Sequence, residues 1–578
     1  MPKSAEESSP HRSAGILLPA FSARRDGDLG IGDTLALKGW IDWAAEHKVG
    51  FLELLPVNET GADNSPYSAI SSVALEPLYL AMEPELIPGL EKKDVEAARA
   101  GISRALRQRR VDYTAVRLAK TKLLRAAWQR VAAEAPDDPG FSAFRREERA
   151  WLDEYVLFRW LMDRAGGGSA WDLWPKAFST PDSAREFFAA ERERNPEAVD
   201  GELLFHAWVQ WQCFRQWRAV RAHADRRGVK LMGDMPIGIS HDSHDVFFRR
   251  SEFDTGWFGG APPEHMFKHD RFIQQWGQNW GIPLYKWDAM EKNGWEWWRR
   301  RVGKLVEIFH IFRIDHVLGF YRIYSFPWHP RRNPEFLDLS PDRARELAGG
   351  NLPGWAPRPD DTPENKAANR ADGDKRLRMI LAAAGDAEIV AEDLGCVPDY
   401  VRPHLASLDI AGFRLPHWEV KPDGHVVPPG ELDECAFATY ATHDHDTIAA
   451  MWEGFRANAT GRIEGLPHDA VEGARFNLRL LSEFAGLPQP ANPAAWPQFS
   501  DAVKWALLDA LHASRPRYAA TMVTDVFGML KTFNKPGTVT PLNWSLRLPW
   551  SAKELAANPV LAAECCRLAK SIRQGKRA

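Results

Sequence analysis

Apolar residues along the chain gather into eight short runs, at 15–19, 50–55, 230–236, 309–315, 388–392, 410–415, 436–442 and 521–526, each closed by Gly, Pro or polar residues. Runs this short and this continuous predict strands buried on both faces, and the stretches between them carry helical periodicity. Eight strand-helix alternations predict an α/β protein, a (β/α)8 TIM barrel, whose site lies at the C-terminal ends of its strands.

The spacing between runs is uneven. From 55 to 230 there is far more chain than one barrel loop needs, including the charged, Ala- and Arg-rich stretch 94–135. There Val95, Ala98, Ile102 and Leu106, then Val116, Leu118, Leu123 and Leu124, recur at helix-compatible spacing. A large, mainly helical insertion is therefore expected at about 85–228. Segment 353–373, rich in Pro, charge and small polar residues, predicts an exposed loop. Segment 251–278 combines Gly256, Gly259, Gly260, Pro262 and Pro263 with Trp257, Phe258 and Phe267, and predicts a lid loop over the site. Residues 1–12 are expected to be disordered, and 13–578 to form one barrel domain.

Strand 309–315 carries the first chemistry. Its side chains alternate faces, so Arg313 and Asp315 point the same way while Phe312 and Ile314 pack behind, and Gly319 marks the turn beyond. A cation fixed beside a carboxylate favours its charged form, which suits Asp315 to nucleophilic attack. Two further carboxylates close apolar strands: Glu392 ends 388–392, and Asp444 follows Thr442-His443. In a barrel these ends meet around one pocket. An ionised and a protonated carboxyl held close are the apparatus of glycosidic cleavage with retention, with Asp315 as nucleophile, Glu392 as acid/base and Asp444 holding sugar hydroxyls. Each has a plainer reading. Asp315 with Arg313 reads also as a structural pair, Glu392-Asp393 as a loop or capping pair, and the His443-Asp444-His445-Asp446 run as a metal site on alternate strand positions.

Composition removes competing classes. A formal net charge of −4 gives no electrostatic basis for nucleic-acid binding. The N-terminus lacks the apolar core of a signal peptide and no run approaches the roughly 18 apolar residues of a membrane span, so no membrane partner and a cytoplasmic location are expected. The five cysteines form no Cys-x-x-Cys pair or His/Cys ligand cluster, and no Gly-rich phosphate loop is present. No cofactor and no metal are expected. The chain has 25 Trp against 10 Tyr; most should be core, while a few can stack on sugar rings.

These motifs resemble the amylomaltases, the 4-alpha-glucanotransferases of glycoside hydrolase family 77. The resemblance spans nearly the whole chain. It runs from Gly15-Ile16-Leu17-Leu18-Pro19 with Asp28-Leu29-Gly30-Ile31-Gly32-Asp33, through Ser65-Pro66-Tyr67, Gly233-Asp234-Met235-Pro236 and Arg313-Ile314-Asp315-His316, to Ala391-Glu392-Asp393-Leu394-Gly395, Thr442-His443-Asp444 and Asn534-Lys535-Pro536-Gly537-Thr538. It implies a retaining alpha-glucanotransferase on a (β/α)8 barrel with no separate C-terminal β-sandwich. It places the nucleophile on Asp315, the acid/base on Glu392 and the substrate-distorting carboxylate on Asp444. It puts Arg313 beside the nucleophile, sugar-contacting histidines at His316 and His443, and substrate-site positions at Tyr67, Asp234, Trp280 and Asn534. The implied partners are maltooligosaccharides, maltose, glucose and glycogen or another soluble glucan. The segment Gln278-Asn279-Trp280-Gly281 and the run 312–323 are more similar to the plant cytosolic disproportionating enzymes, which carry N-terminal starch-binding modules; this chain is expected to start directly at the catalytic domain. Thr442-His443-Asp444 is followed by His445 where Asn is more usual. The same carboxylates would also serve an alpha-glucan hydrolase, or a glucan-binding protein without turnover.

Overall fold

The computed structural model describes residues 12–61, 63–264, 270–463, 466–492 and 494–578. Its strands are, in chain order, β1 (Ser13–Leu17), β2 (Phe51–Glu53), β3 (Lys230–Met235), β4 (Phe253–Ala261), β5 (Gln278–Tyr285), β6 (Ile311–Ile314), β7 (Ile323–Phe326), β8 (Gly354–Ala356), β9 (Glu388–Ala391), β10 (Ala411–Arg414), β11 (Ala436–Ala438) and β12 (Tyr518–Met522). The closed barrel runs β1-β12-β11-β10-β9-β6-β3-β2, with every neighbouring pair parallel. The eight-stranded (β/α)8 barrel expected from the apolar runs is present.

Apolar side chains fill the barrel: Phe51, Met232, Ile311, Val390, Phe413, Phe437 and Tyr518 form one buried cluster. Phe413 stacks on Phe437 with ring centroids 4.6 Å apart. Crowding fixes the residue choice opposite them. At Gly15 an added Cβ would sit 2.1 Å from the Phe51 ring, so only glycine lets β1 lie beside that ring. This filled interior is the floor on which the polar strand ends rest.

The eighth strand lies a few residues earlier than its apolar run: Tyr518–Met522 pairs with β1, and Val523–Val526 is a helical turn. The small residues Ala519 and Ala520 belong to a packed barrel strand, which residue propensity alone does not reveal. The insertion is helical as expected, from Lys92–Gly101 to the long Pro196–Arg227 helix. That helix begins at Asn195, whose side chain accepts from the Ala198 N–H, with Pro196 at the first helical position, and stops at Gly228 in the left-handed region.

Two expected loops are ordered elements. The described part of 251–278 contributes β4 and the Arg271–Trp276 helix, and β4 is paired antiparallel between β5 and β7 in a four-stranded sheet, β5-β4-β7-β8. Its glycines serve close approach: a Cβ at Gly260 would lie 1.9 Å from the Gln278 carbonyl oxygen. Phe267 lies outside the described residues, as do residues 1–11 of the N-terminus. Segment 353–373 is β8 followed by the start of the Pro363–Ala384 helix, capped by Thr362, whose hydroxyl accepts from the Asn365 N–H. The Thr-Pro start signal outweighs the loop-like composition, and Gly373 packs so closely on Tyr321 that a Cβ would be 2.2 Å from its ring. Beyond β12 the chain continues into helices Ala552–Ala557 and Pro559–Gln574, with no β-sandwich among the described residues. No described helix is long and apolar enough to cross a membrane.

Candidate active site

Asp315 directly follows β6, and its N–H donates to the Met235 carbonyl of β3 at 3.0 Å. Arg313, two residues back and 3 % exposed, turns to the same side. Its Nη2 lies 2.8 Å from Asp315 Oδ1 and 4.0 Å from Glu392 Oε2, while its Nη1 donates to Asp234 Oδ2 at 2.7 Å. One guanidinium therefore links the ends of β3, β6 and β9. Its Cζ lies 5.8 Å from the centroid of the Phe413 ring, which belongs to the barrel floor.

Glu392 follows β9 and accepts two backbone hydrogen bonds, from the His316 N–H at 2.8 Å and the Leu394 N–H at 3.1 Å. Burial nevertheless pushes its carboxyl up to about 7, with Arg313 pulling it down and Asp315 pushing it further up. His316 adopts φ +44° to present that N–H, a left-handed conformation unusual for a non-glycine residue. Its ring meets Trp280 edge to face at 4.9 Å, and burial lowers its pKa to about 4, leaving it neutral. Asp393, beside Glu392, is the structural partner of the pair: it is fully buried and accepts from the Phe413 N–H and from Arg402 and Arg414.

The third carboxylate stands in the loop after β11, which ends at Ala438, earlier than its apolar run. Asp444 Oδ1 accepts from Asn534 Nδ2 at 2.6 Å, and its Oδ2 lies 3.3 Å from His443 Nε2. Burial opposes its charge, but His443 and Asn534 together hold the carboxyl well below the usual range. Tyr67 joins this side to Arg313. Its hydroxyl donates to Asp234 Oδ2 at 2.6 Å and lies 2.8 Å from His443 Nε2, with the two rings stacked. Since the single hydroxyl proton goes to Asp234, the His443 Nε2–H must be the donor to Tyr67. Burial opposes protonation of His443, and Asp444 beside it raises its pKa overall.

The structure thus gathers Tyr67, Asp234, Arg313, Asp315, His316, Glu392, His443, Asp444 and Asn534 into one connected site, with Trp280 at its edge, 37 % exposed. Asp234 lies deeper than the other carboxylates, 3 % exposed and behind Arg313. His445 is turned inward at Nδ1, 2.8 Å from the Thr442 hydroxyl. Among the described residues, groups of three side chains of metal-ligating type close together occur elsewhere: His241, Asp242 and His329, and Asp163, Glu202 and His206. One member of each is engaged by the protein itself: His329 Nδ1 accepts from the Arg331 N–H, and Glu202 is held by both terminal nitrogens of Arg125.

Sequence reasoning missed two residues here. Glu53 ends β2, is 4 % exposed, and burial pushes it up to about 7 beside Arg313 and Asp234. The signal was available, since Glu53 interrupts an apolar run as Asp315 and Glu392 end theirs. Trp418, half-exposed after β10, packs edge to face on His445 at 5.6 Å and had no signal beyond being one Trp of many.

A parallel eight-stranded barrel bearing a cluster of carboxylates around one arginine at its strand ends is an arrangement suited to an enzyme acting on glycosidic bonds. The sequence profile of glycoside hydrolase family 77, described as 4-alpha-glucanotransferase, matches residues 18–553, and the chain belongs to this family. A 4-alpha-glucanotransferase of Chlamydia caviae is 29% identical over 563 residues, covering 95% of this chain and 93% of that one. A 4-alpha-glucanotransferase of Oryza sativa is 33% identical over 336 residues, 56% of this chain and 33% of that longer one, in keeping with the plant-like motifs. Among solved structures, an amylomaltase from Streptococcus agalactiae in complex with acarbose shares the fold with a TM-score of 0.71 at 20% identity, covering 97% of this chain and 99% of that one.

Proposed function

We propose that in this 4-alpha-glucanotransferase Asp315 is the nucleophile, Glu392 the acid/base, and Asp444 the carboxylate that holds the sugar as its ring flattens. One observation carries the reading: the same Nη2 atom of Arg313 is 2.8 Å from Asp315 and 4.0 Å from Glu392. The sum of those distances bounds the separation of the two oxygens below nearly all of the roughly 6.5–9.5 Å span of inverting pairs. Retention by double displacement fits that closeness. Glu392 gives its proton to the glycosidic oxygen of an alpha-1,4 bond while Asp315 attacks the anomeric carbon; the bond to the leaving sugar breaks and a glycosyl ester forms. The released end departs. Glu392, now a carboxylate, takes the proton of an incoming sugar hydroxyl, which attacks the same carbon and frees Asp315.

Donors on this reading are maltooligosaccharides and maltose, and acceptors are glucose, maltooligosaccharides and soluble glucan such as glycogen. Trp280 offers an aromatic face to a sugar, while Tyr67, Asp234, His316, His443 and Asn534 fix or extend the polar contacts. The described strand β4, between β5 and β7, forms part of a cover that keeps water from the ester, so that transfer outruns hydrolysis. The five free cysteines fit a reducing, cytoplasmic setting.

The test is product analysis with maltotriose, in which longer oligomers should appear with no net gain of reducing ends. Asp315→Asn should fold and lose at least about a thousandfold in kcat, since an amide cannot form the ester. Wild-type-like turnover in a folded Asp315→Asn protein refutes the assignment, and a steady rise of reducing ends refutes transfer.

A further inference from the structure

Residues 439–447, which carry Asp444, connect β11 to the Ile448–Ala459 helix, and this connection and the first residue of the helix are tied at three points to the segment that follows β12. Asn534 donates to Asp444, the Thr532 hydroxyl donates to the His445 carbonyl at 2.9 Å, and Asp525 Oδ1 accepts the Ile448 N–H at 2.9 Å. Ile448 is the first residue of that helix, directly after its cap Thr447 and four residues from Asp444. Both ends of this last bond are sealed from water: Ile448 is 0 % exposed and Asp525 1 %. The second Asp525 oxygen accepts from the Thr521 hydroxyl of β12 at 3.3 Å, so the carboxyl ties the strand to the neighbouring helix start.

We infer that Asp525 is a positioning residue for glucan transfer: by pinning the helix start to β12 it sets where Asp444 stands in the cleft. The inference rests on the role proposed above for Asp444. Asp525 is too deeply buried to touch sugar, so it acts only through the loop. A carboxyl oxygen at a helix N-terminus accepts an N–H that the helix itself leaves open. Without it, the buried Ile448 N–H must find water, which requires the loop to move. A shift of about an ångström in a group that acts at the transition state costs roughly a hundredfold in rate, with little effect on ground-state binding.

The experiment is a double-mutant cycle in full-length protein, with kcat and KM on maltotriose for Asp525→Ala, Asp444→Asn and the double variant. Asp525→Ala should lose tenfold or more in kcat with KM within about twofold, and Asp525→Asn, whose amide oxygen still accepts the Ile448 N–H, should recover most of it. In the Asp444→Asn background, itself slowed by about a hundredfold, Asp525→Ala should change kcat by less than about twofold. The same loss in both backgrounds, or a normal kcat in Asp525→Ala whatever its Tm, overturns the inference while leaving Asp444's role intact. A near-normal kcat in Asp444→Asn overturns both. If Asp525→Ala does not fold, Thr532→Val decides: it removes the hydroxyl that ties the His445 carbonyl. It should lose about threefold or more in kcat only when Asp444 is present, and no loss, or equal losses, overturns the inference.

Discussion

Glu392 receives two backbone hydrogen bonds that favour its carboxylate, and burial still keeps it protonated up to about 7. The first half-reaction needs the acid form, which is present below that pKa and lost above it. On maltotriose kcat/KM should therefore fall above about pH 7. Glu392→Gln should lose about a hundredfold or more on maltotriose, yet far less on an alpha-maltosyl fluoride, whose leaving group needs little protonation. Equal losses on the two donors would exclude the acid role. At Asp315 the deciding neighbour is Arg313, and that pairing was legible because alternate strand residues share a face. Glu53 was missed for the same reason in reverse: as part of an apolar run it reads as a local exception, and only the barrel turns it toward Arg313.

The elements show why Gly- and Pro-rich stretches misled. Gly259 and Gly260 in β4 look like loop residues, but a strand packed closely against its partner also requires them. The β4–β5 pairing places Gly260 opposite Asn279, one residue from Trp280. Gly260→Ala, with a methyl 1.9 Å from the Gln278 carbonyl, should loosen that strand pair by on the order of 1–3 kcal/mol. The expected result is faster hydrogen exchange over 278–285 and a KM for the acceptor raised several-fold, with kcat changed less. Unchanged exchange and an unchanged KM would show that the sheet does not support the Trp280 platform. The thirteen-residue Thr34–Glu46 helix, by contrast, takes its start from a local contact, since the Asp33 side chain accepts the Ala36 N–H.

Across the whole molecule, Glu53, Glu392 and Asp525 are each pushed up to about 7 by burial. In the unfolded chain they release their protons near pH 4, so between there and pH 7 the folded state binds more protons. Their contribution to stability is whole below about pH 4, declines as pH rises to 7 and is level beyond. Glu53→Gln mimics the protonated acid at every pH. It should match wild type in stability near pH 4 and gain on it by pH 8, by on the order of 3 kcal/mol for one fully buried group and with a correspondingly higher Tm. A Tm difference that does not grow with pH would mean that Glu53 is ionised in the folded protein.

By itself the sequence determined the barrel, the helical insertion, the faces of the strands and the carboxylates that close or follow them, because periodicity and strand alternation act over a few neighbouring residues. The position of β12, the antiparallel sheet built from a supposed loop, the depth of Asp234, the inward turn of Glu53 and the hold of Asp525 on the Asp444 loop were decided by the tertiary structure alone. Each depends on contacts between residues far apart in the chain, where closing the barrel brings separate strand ends to one place and burial then sets which of their carboxyls keep a proton.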